Sequence, residues 1–160
     1  MIKLLNKGSK QTRPDWDEYF LEIAKGVGRR ATCLRRRYGA IIVKDNIIIS
    51  SGYNGAPRGE ANCIDTGVCE RERLKVPKGE RYELCVAVHA EQNAIINADP
   101  VKMENATIYI AGFNVADETP ASGEPCKLCR RMILNARIAK VVYYNANGEL
   151  IVCKPSEIKN

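Results

Sequence analysis

Apolar side chains recur at helical spacing near the start of the chain. Acidic residues occupy the first turn of this stretch, where they suit the positive end of a helix dipole. The apolar positions are Trp16, Tyr19, Phe20, Ile23, Ala24 and Val27. The pattern predicts a first helix over about residues 15–31.

The next apolar positions are continuous and β-branched, which is typical of strands. Runs at 38–43 and 47–53 flank Lys44-Asp45-Asn46 and predict an antiparallel hairpin. Residues 54–86 are rich in Gly and Pro, and predict a long irregular segment with one short helix at about 70–74. An irregular segment of this length in a compact domain is usually functional, disordered, or tied by a group such as a metal.

Helices and strands alternate in the second half of the chain. Helices are predicted at 89–98 and 126–136, and strands at 107–111, 139–144 and 150–153, with a polar loop at 112–124 and a turn at Asn147-Gly148. Asp99-Pro100 ends the first of these helices. This order predicts an α/β fold with a mixed sheet and helices on its faces.

Length and composition indicate one ordinary globular domain over residues 1–160. The chain is 45% hydrophobic and 28% charged, and its net charge of 25 − 19 = +6 permits a phosphorylated partner without requiring one. No stretch approaches the roughly 20 apolar residues of a membrane span. The segment Met1–Gly8 is too short and polar for a signal peptide, so we expect a cytoplasmic protein.

Seven cysteines and a single histidine narrow the candidate chemistry. In a reducing compartment the cysteines are not expected to form disulfides, which leaves metal binding, catalysis or burial. Two short motifs combine these residue types at predicted helix starts. One is His89-Ala90-Glu91, and the other is Pro125-Cys126-Lys127-Leu128-Cys129.

Together the two motifs predict a catalytic zinc site. Cys126 and Cys129 are three residues apart, so they share one helix face, and a helix start favours their thiolate forms. Thiolates suit Zn²⁺, and two thiolates with the His89 imidazole leave the fourth position open for water. Glu91 is placed to take a proton from that water. His-x-Glu with Pro-Cys-x-x-Cys is the known signature of zinc deaminases.

Four segments extend the signature into a family resemblance: 39–43, 51–59, 88–95 and 124–129. They resemble the deoxycytidylate (dCMP) deaminases, one branch of the zinc-dependent cytidine deaminase superfamily, over roughly residues 14–145. The run Gly-Tyr-Asn-Gly-Ala-Pro-Arg-Gly at 52–59 and His-Ala-Glu-Gln-Asn-Ala at 89–94 point to that branch. The resemblance implies a three-layer α/β/α fold with a five-stranded mixed sheet. It also implies hydrolysis of dCMP to dUMP and ammonia, which feeds thymidylate synthesis.

The resemblance also assigns roles to individual residues. His89, Cys126 and Cys129 are implied to bind zinc, and Glu91 is implied to be the catalytic proton shuttle. The backbone amide of Ala90 would lie near the reacting base, and Asn54 would contact the sugar. The family further implies hexamers, with activation by dCTP, accompanied by Mg²⁺, and inhibition by dTTP. A membrane is not expected as a partner, nor is nucleic acid.

A 5′-phosphate on the substrate requires cationic donors. Arg58 is the preferred candidate, because it lies between glycines that let the backbone approach a ligand, and arginine presents a fixed fork of donors. Lys44, Arg36 and Arg37 are the other candidates.

Four further cysteines form a candidate second, structural metal site: Cys33, Cys63, Cys69 and Cys85. Cys33 and Cys63 match positions that hold a second zinc in some phage members of the family. Cys69 and Cys85 would then complete the ligands and tie the irregular segment. The alternative is that all four are small buried residues.

The sequence leaves the exact activity open. Residues 112–124 are longer than in many relatives, which suggests a substrate lid or an oligomer contact. One alternative function is another deaminase of the superfamily, acting on cytidine, guanine, a riboflavin precursor or tRNA adenosine. The other is a non-catalytic zinc-bound nucleotide sensor, although Glu91 argues against it because a structural zinc needs no positioned carboxylate.

Overall fold

The computed structural model describes residues 13–159. The prediction made for Met1–Gly8 lies outside this range. Between residues 13 and 159, no helix has the length and apolar character needed to cross a membrane.

Strands and helices alternate along the chain in the predicted order. The helices are α1 Trp16–Gly28, α2 Cys63–Thr66, α3 Glu70–Arg73, α4 Ala90–Ile96, α5 Pro100–Met103 and α6 Lys127–Asn135, with 3₁₀ turns at Tyr82–Leu84 and Pro155–Glu157. The strands are β1 Arg36–Lys44, β2 Ile47–Tyr53, β3 Thr107–Asn114, β4 Pro120–Ala121, β5 Lys140–Tyr144 and β6 Leu150–Cys153.

The strands form one mixed sheet in the order β2-β1-β3-β5-β6, with β4 paired to β3. β3 and β5 run parallel, and the other neighbours are antiparallel. Because successive side chains of a strand point to opposite faces, Ile41 packs under α1 with Phe20, whereas Ile42 packs on the other face with Ala94 of α4 and Ile133 of α6. The predicted three-layer arrangement is confirmed, and the sheet has six strands rather than five.

The extra strand lies in the segment predicted to be a polar loop. β3 continues to Asn114, and β4 returns antiparallel to it, with Phe113 opposite Pro120. Gly112 permits this continuation, because a Cβ there would lie 2.3 Å from the ring of Tyr38 on β1. The turn between the strands lies beside the end of α1, where Glu118 pairs with Arg29.

The irregular segment contains more structure than its sequence predicts. The short helix expected at 70–74 is α3, and α2 and a 3₁₀ turn accompany it. Backbone hydrogen bonds between Gly55 and Val88 close the segment into a loop and bring its end beside β2. This closure fixes the position of His89, the next residue.

Candidate metal centre

Two helix starts bring the only histidine and two cysteines together. His89 is the N-cap of α4, Cys126 is the N-cap of α6, and Cys129 lies in the first turn of α6. The Nδ1 atom of His89 lies 3.5 Å from Sγ of Cys126 and 3.3 Å from Sγ of Cys129. Within residues 13–159, no other set of three metal-binding side chains has its ligand atoms within 4.8 Å of one another.

Helix α4 is held against the edge strand β2 by close packing and side-chain hydrogen bonds. Gly52 allows the approach, since a Cβ there would lie 2.3 Å from the backbone nitrogen of Ala94. The Asn93 amide donates to the Tyr53 carbonyl, and the Asn97 amide donates to the Ser51 carbonyl. These contacts cover edge carbonyls of the sheet and fix the start of the helix at His89.

The two cysteines of the group differ in their pKa, because the hydrogen bond with Cys126 and burial raise the pKa of the Cys129 thiol. Hydrogen bonding from the Cys129 side chain, with smaller contributions from His89 and the Cys129 backbone amide, lowers the pKa of the Cys126 thiol to about 4. Cys126 is therefore a thiolate at neutral pH even before a metal binds. Interaction with this thiolate raises the pKa of His89 in turn.

The spacing of the three donors fits zinc. Zn–S bonds of about 2.3 Å and Zn–N bonds of about 2.0–2.1 Å at tetrahedral angles separate the nitrogen and sulfur ligands by about 3.6 Å. The observed separations of 3.5 and 3.3 Å are close to this value. One imidazole and two sulfurs supply three of four tetrahedral positions, which is the pattern of a catalytic zinc site.

Glu91 is the buried carboxylate of the centre. It is 6% exposed and lies in the first turn of α4, two residues after His89. Burial raises the pKa of its carboxyl group, and interaction with His89 lowers that pKa by a smaller amount. Burying a carboxyl group costs free energy. A buried carboxyl group with a shifted pKa beside a cavity is typical of a catalytic acid or base, so this position favours a chemical role for Glu91.

A cavity of about 260 Å³ has His89, Cys126 and Glu91 among its lining residues. Ala90 and Asn54, to which the family resemblance assigns contacts with the base and the sugar, both line it. The Asn54 side chain accepts a hydrogen bond from the Tyr38 amide at 2.8 Å and donates one to the Arg36 carbonyl at 3.1 Å. Its orientation is therefore set by β1, and its second amide hydrogen is the donor left for a ligand.

The structure does not bring the preferred phosphate candidate to the cavity. Arg58 is exposed and donates to Oδ1 of Asn97, the C-cap of α4, at 3.3 Å. Lys44 donates to the Glu104 carbonyl at 2.6 Å, and Arg37 is not among the lining residues. Of the four candidates, Arg36 alone lines the cavity.

Two side chains of the site carry no signal in the sequence patterns: Arg71 and Tyr82. Both come from the irregular segment, where neither spacing nor a motif marks them. The ring of Tyr82 packs edge-to-face on His89 with centroids 5.6 Å apart. The positions of Arg71 and Tyr82 depend on the closure of the loop, which is a tertiary contact.

The four remaining candidate cysteines gather on the same cavity. Cys33, Cys63, Cys69 and Cys85 all line it. Burial raises the pKa of the Cys63 thiol, and the other three cysteines raise it further, which places them around Cys63. Their sulfurs lack the 4.8 Å mutual spacing seen at His89, Cys126 and Cys129.

The sequence matches a known family model, described as the cytidine and deoxycytidylate deaminase zinc-binding region, over residues 14–145. A deoxycytidylate deaminase of Mycobacterium phage D29 is 41% identical over 82% of this chain and 96% of its own length. A deoxycytidylate deaminase of Schizosaccharomyces pombe is 35% identical over 84% of this chain. This chain spans only 38% of that yeast protein.

Solved structures show the same architecture. The dCMP deaminase of cyanophage S-TIM5 in apo form superposes with a TM-score of 0.57 and 26% identity, over 86% of this chain and 89% of the phage chain. The same phage enzyme in complex with dCMP and dUMP gives a TM-score of 0.55 and 27% identity, over 82% of each chain.

Proposed function

This chain belongs to the cytidine and deoxycytidylate deaminase zinc-binding family, and from that premise we propose that it hydrolyses dCMP to dUMP and ammonia, supplying dUMP for thymidylate synthesis. The observation that carries the proposal is the buried carboxylate of Glu91 beside a His-Cys-Cys zinc site at the wall of a cavity. The phage relative named deoxycytidylate deaminase supports the choice of dCMP, because the match covers 96% of that relative's length.

The side chains of the site divide the chemistry between them. His89, Cys126 and Cys129 would hold the zinc, which would supply Lewis acidity that lowers the pKa of water towards about 7. Glu91 accepts the proton that the attacking water loses and transfers it to a nitrogen of the pyrimidine ring. A carbon–oxygen bond forms at the amine-bearing ring carbon. Glu91 then passes the remaining hydroxyl proton to the amine, the carbon–nitrogen bond breaks as the carbonyl forms, and ammonia leaves.

The cavity walls orient the nucleotide for this reaction. The Ala90 amide is at the first position of α4, where a backbone N–H has no partner within the helix, so it is available to the base. Asn54 offers its remaining donor to the sugar. Arg36 brings positive charge to the cavity wall, which suits a monophosphate.

Ammonia release from dCMP by the zinc-loaded protein tests the proposal. CMP, deoxycytidine and dCTP serve as the comparison substrates, each with and without added dCTP and Mg²⁺. We expect turnover of dCMP above the other three, with stimulation by dCTP. Zinc-loaded protein that binds dCMP but releases no ammonia would contradict the proposal and favour a nucleotide sensor. Turnover of another substrate alone would indicate a different deaminase of the superfamily.

Regulation, assembly and location form part of the same proposal and rest on the family resemblance. We propose hexamers in the cytoplasm, activated by dCTP with Mg²⁺ and inhibited by dTTP. In the assay above, dTTP is expected to suppress the turnover that dCTP stimulates.

We propose that Arg58 binds the 5′-phosphate by exchanging its bond to Asn97 for the phosphate, since its side chain does not line the cavity in this structure. Loss of one charge-assisted contact typically costs about 1.5–3 kcal/mol, so Arg58→Ala is expected to raise KM for dCMP by roughly 10- to 100-fold with zinc content unchanged. Steady-state kinetics on dCMP and deoxycytidine measure the effect, which should be confined to the phosphorylated substrate. Arg36→Ala is the comparison variant. A raised KM in Arg36→Ala with none in Arg58→Ala would assign the phosphate to Arg36.

We propose a second, structural zinc bound by Cys33, Cys63, Cys69 and Cys85. Cys63, Cys69 and Cys85 lie at ends of the short helices in the irregular segment, so a shared metal would tie these elements together. Metal analysis of purified protein is expected to give two zinc ions per chain, falling to one in Cys63→Ser. Cys153→Ser, on β6, should retain both. One zinc per chain in the unaltered protein would contradict the second site.

A further inference from the structure

Arg71 is a buried cation at the wall of the cavity. It lies on α3 and is 9% exposed, although arginine is mostly exposed in proteins unless it is paired. Arg73, two residues further along the same helix, is exposed and pairs with Glu70. The contrast between two arginines of one short helix points to a specific use for the buried side chain.

The guanidinium of Arg71 donates hydrogen bonds to two carbonyls of the turn at residues 77–81. Nη1 donates to the Arg81 carbonyl at 2.8 Å, and Nη2 donates to the Pro77 carbonyl at 2.9 Å. Between them the backbone takes a strained path, because Arg81 has φ 46° and ψ 52° in the left-handed region. A non-glycine residue keeps this conformation only where its surroundings hold it, and the fork of Arg71 supplies two of the bonds.

Tyr82 directly follows the 77–81 turn. The guanidinium carbon of Arg71 lies 5.4 Å from the centre of the Tyr82 ring, within the range of a cation–π contact. The same ring also contacts His89, with ring centroids 5.6 Å apart and an interplanar angle of 74°. A continuous chain of contacts therefore runs from Arg71 through Tyr82 to the metal-binding histidine.

We propose that Arg71 is a positioning residue, which holds the 77–81 turn so that the Tyr82 ring forms the cavity wall on which the pyrimidine base packs. The inference rests on the proposed deamination, since it assigns the wall that orients the base. An aromatic ring suits a planar base without selecting for the phosphate. Arg71 acts on the base through Tyr82, because two of its donors are already committed to the turn.

Kinetics on two substrates separate this role from direct phosphate binding. Arg71→Met is expected to raise KM by about 10- to 100-fold, equally for dCMP and deoxycytidine, with a smaller change in kcat and unchanged zinc content. Arg71→Lys should recover only part of the loss, because an ammonium lacks the fork that spans both carbonyls. Arg73→Met, the matched control on the same helix, should behave like the unaltered protein. A loss confined to dCMP would overturn the proposal and make Arg71 a phosphate ligand.

A double variant tests whether Arg71 acts through Tyr82. Residues that act as one unit are non-additive, so Arg71→Met should add little to the KM increase already caused by Tyr82→Ala. Independent effects, multiplying in the double variant, would contradict the proposed chain of contacts. If Arg71→Met fails to fold, the same comparison is made with Arg71→Lys, which keeps the charge.

Limited trypsin digestion gives a measurement that needs no substrate. The 77–81 turn contains the trypsin cleavage sites Lys78 and Arg81. Loss of the hydrogen bonds from Arg71 should loosen the turn, so cleavage at these sites should be faster in Arg71→Met but not in Arg73→Met. Equal cleavage rates in all three proteins would overturn the role of Arg71. Absence of dCMP turnover in the unaltered protein would contradict the proposed function instead, while the digestion still decides whether Arg71 holds the turn.

Discussion

Replacing Glu91 with glutamine is expected to lower kcat for dCMP by about 10²–10⁴-fold while zinc content and fold are retained. Glutamine has nearly the same size and shape, so it fills the buried position at the start of α4 without a cavity. It cannot accept a proton from water and pass it to the ring. The loss therefore isolates proton transfer from substrate binding and metal binding.

Three measurements on Glu91→Gln separate the causes of an activity loss. Ammonia release gives kcat, metal analysis gives zinc per chain, and thermal unfolding reports the fold. Glu118→Gln, in the exposed turn after β3, is the control for a Glu-to-Gln change and should keep the activity of the unaltered protein. Activity retained in Glu91→Gln would assign proton transfer to another group. Loss of zinc together with activity would instead indicate that Glu91 supports the metal site.

The hairpin and the helix-start positions of His89, Cys126 and Cys129 were predictable because local sequence determines them. The predicted strand 47–53 coincides with β2, and the turn residues Asp45 and Asn46 both have positive φ, as the two-residue turn of a tight hairpin requires. His89, Cys126 and Cys129 each sit at a helix start, so their motifs fix both the residue types and the element on which they lie.

The other features depend on contacts between distant parts of the chain. β4 has two residues, too few to show a period, and its strand character comes from its bonds to β3. The sequence pattern does not predict α5, because Asp99-Pro100 ends one helix and also starts the next. Asp99 caps the Val101 amide at that second start. Arg71 and Tyr82 reach the cavity only through the folded loop, and Arg58 is not among the residues that line it.

Replacing Cys126 with serine is expected to remove zinc from the site and to reduce turnover by more than about 10³-fold. This factor is larger than the one typically caused by losing a single hydrogen-bond donor from an active site. The Cys126 thiol has a pKa of about 4 and is a thiolate at neutral pH, whereas a serine hydroxyl stays protonated and is a hard, weak ligand for zinc. Two protein ligands, His89 and Cys129, would remain. They are too few for a stable tetrahedral site.

Serine is the informative substitution because Cys126 has a second role as the N-cap of α6. Its sulfur accepts the Cys129 backbone amide at 3.5 Å, and serine is among the best residues at that position. The helix start should therefore survive while the metal ligand is lost. Cys153→Ser controls for the loss of any thiol.

Metal content and thermal stability together decide the outcome for Cys126→Ser. Zinc per chain should fall by one relative to the unaltered protein, and added zinc should raise the melting temperature of the unaltered protein more than that of the variant. The difference follows because a ligand that binds only the folded state stabilises it in proportion to its affinity. Full zinc content with normal turnover in Cys126→Ser would show that the ion is held elsewhere. Loss of activity with zinc retained would place Cys126 in the chemistry rather than in metal binding.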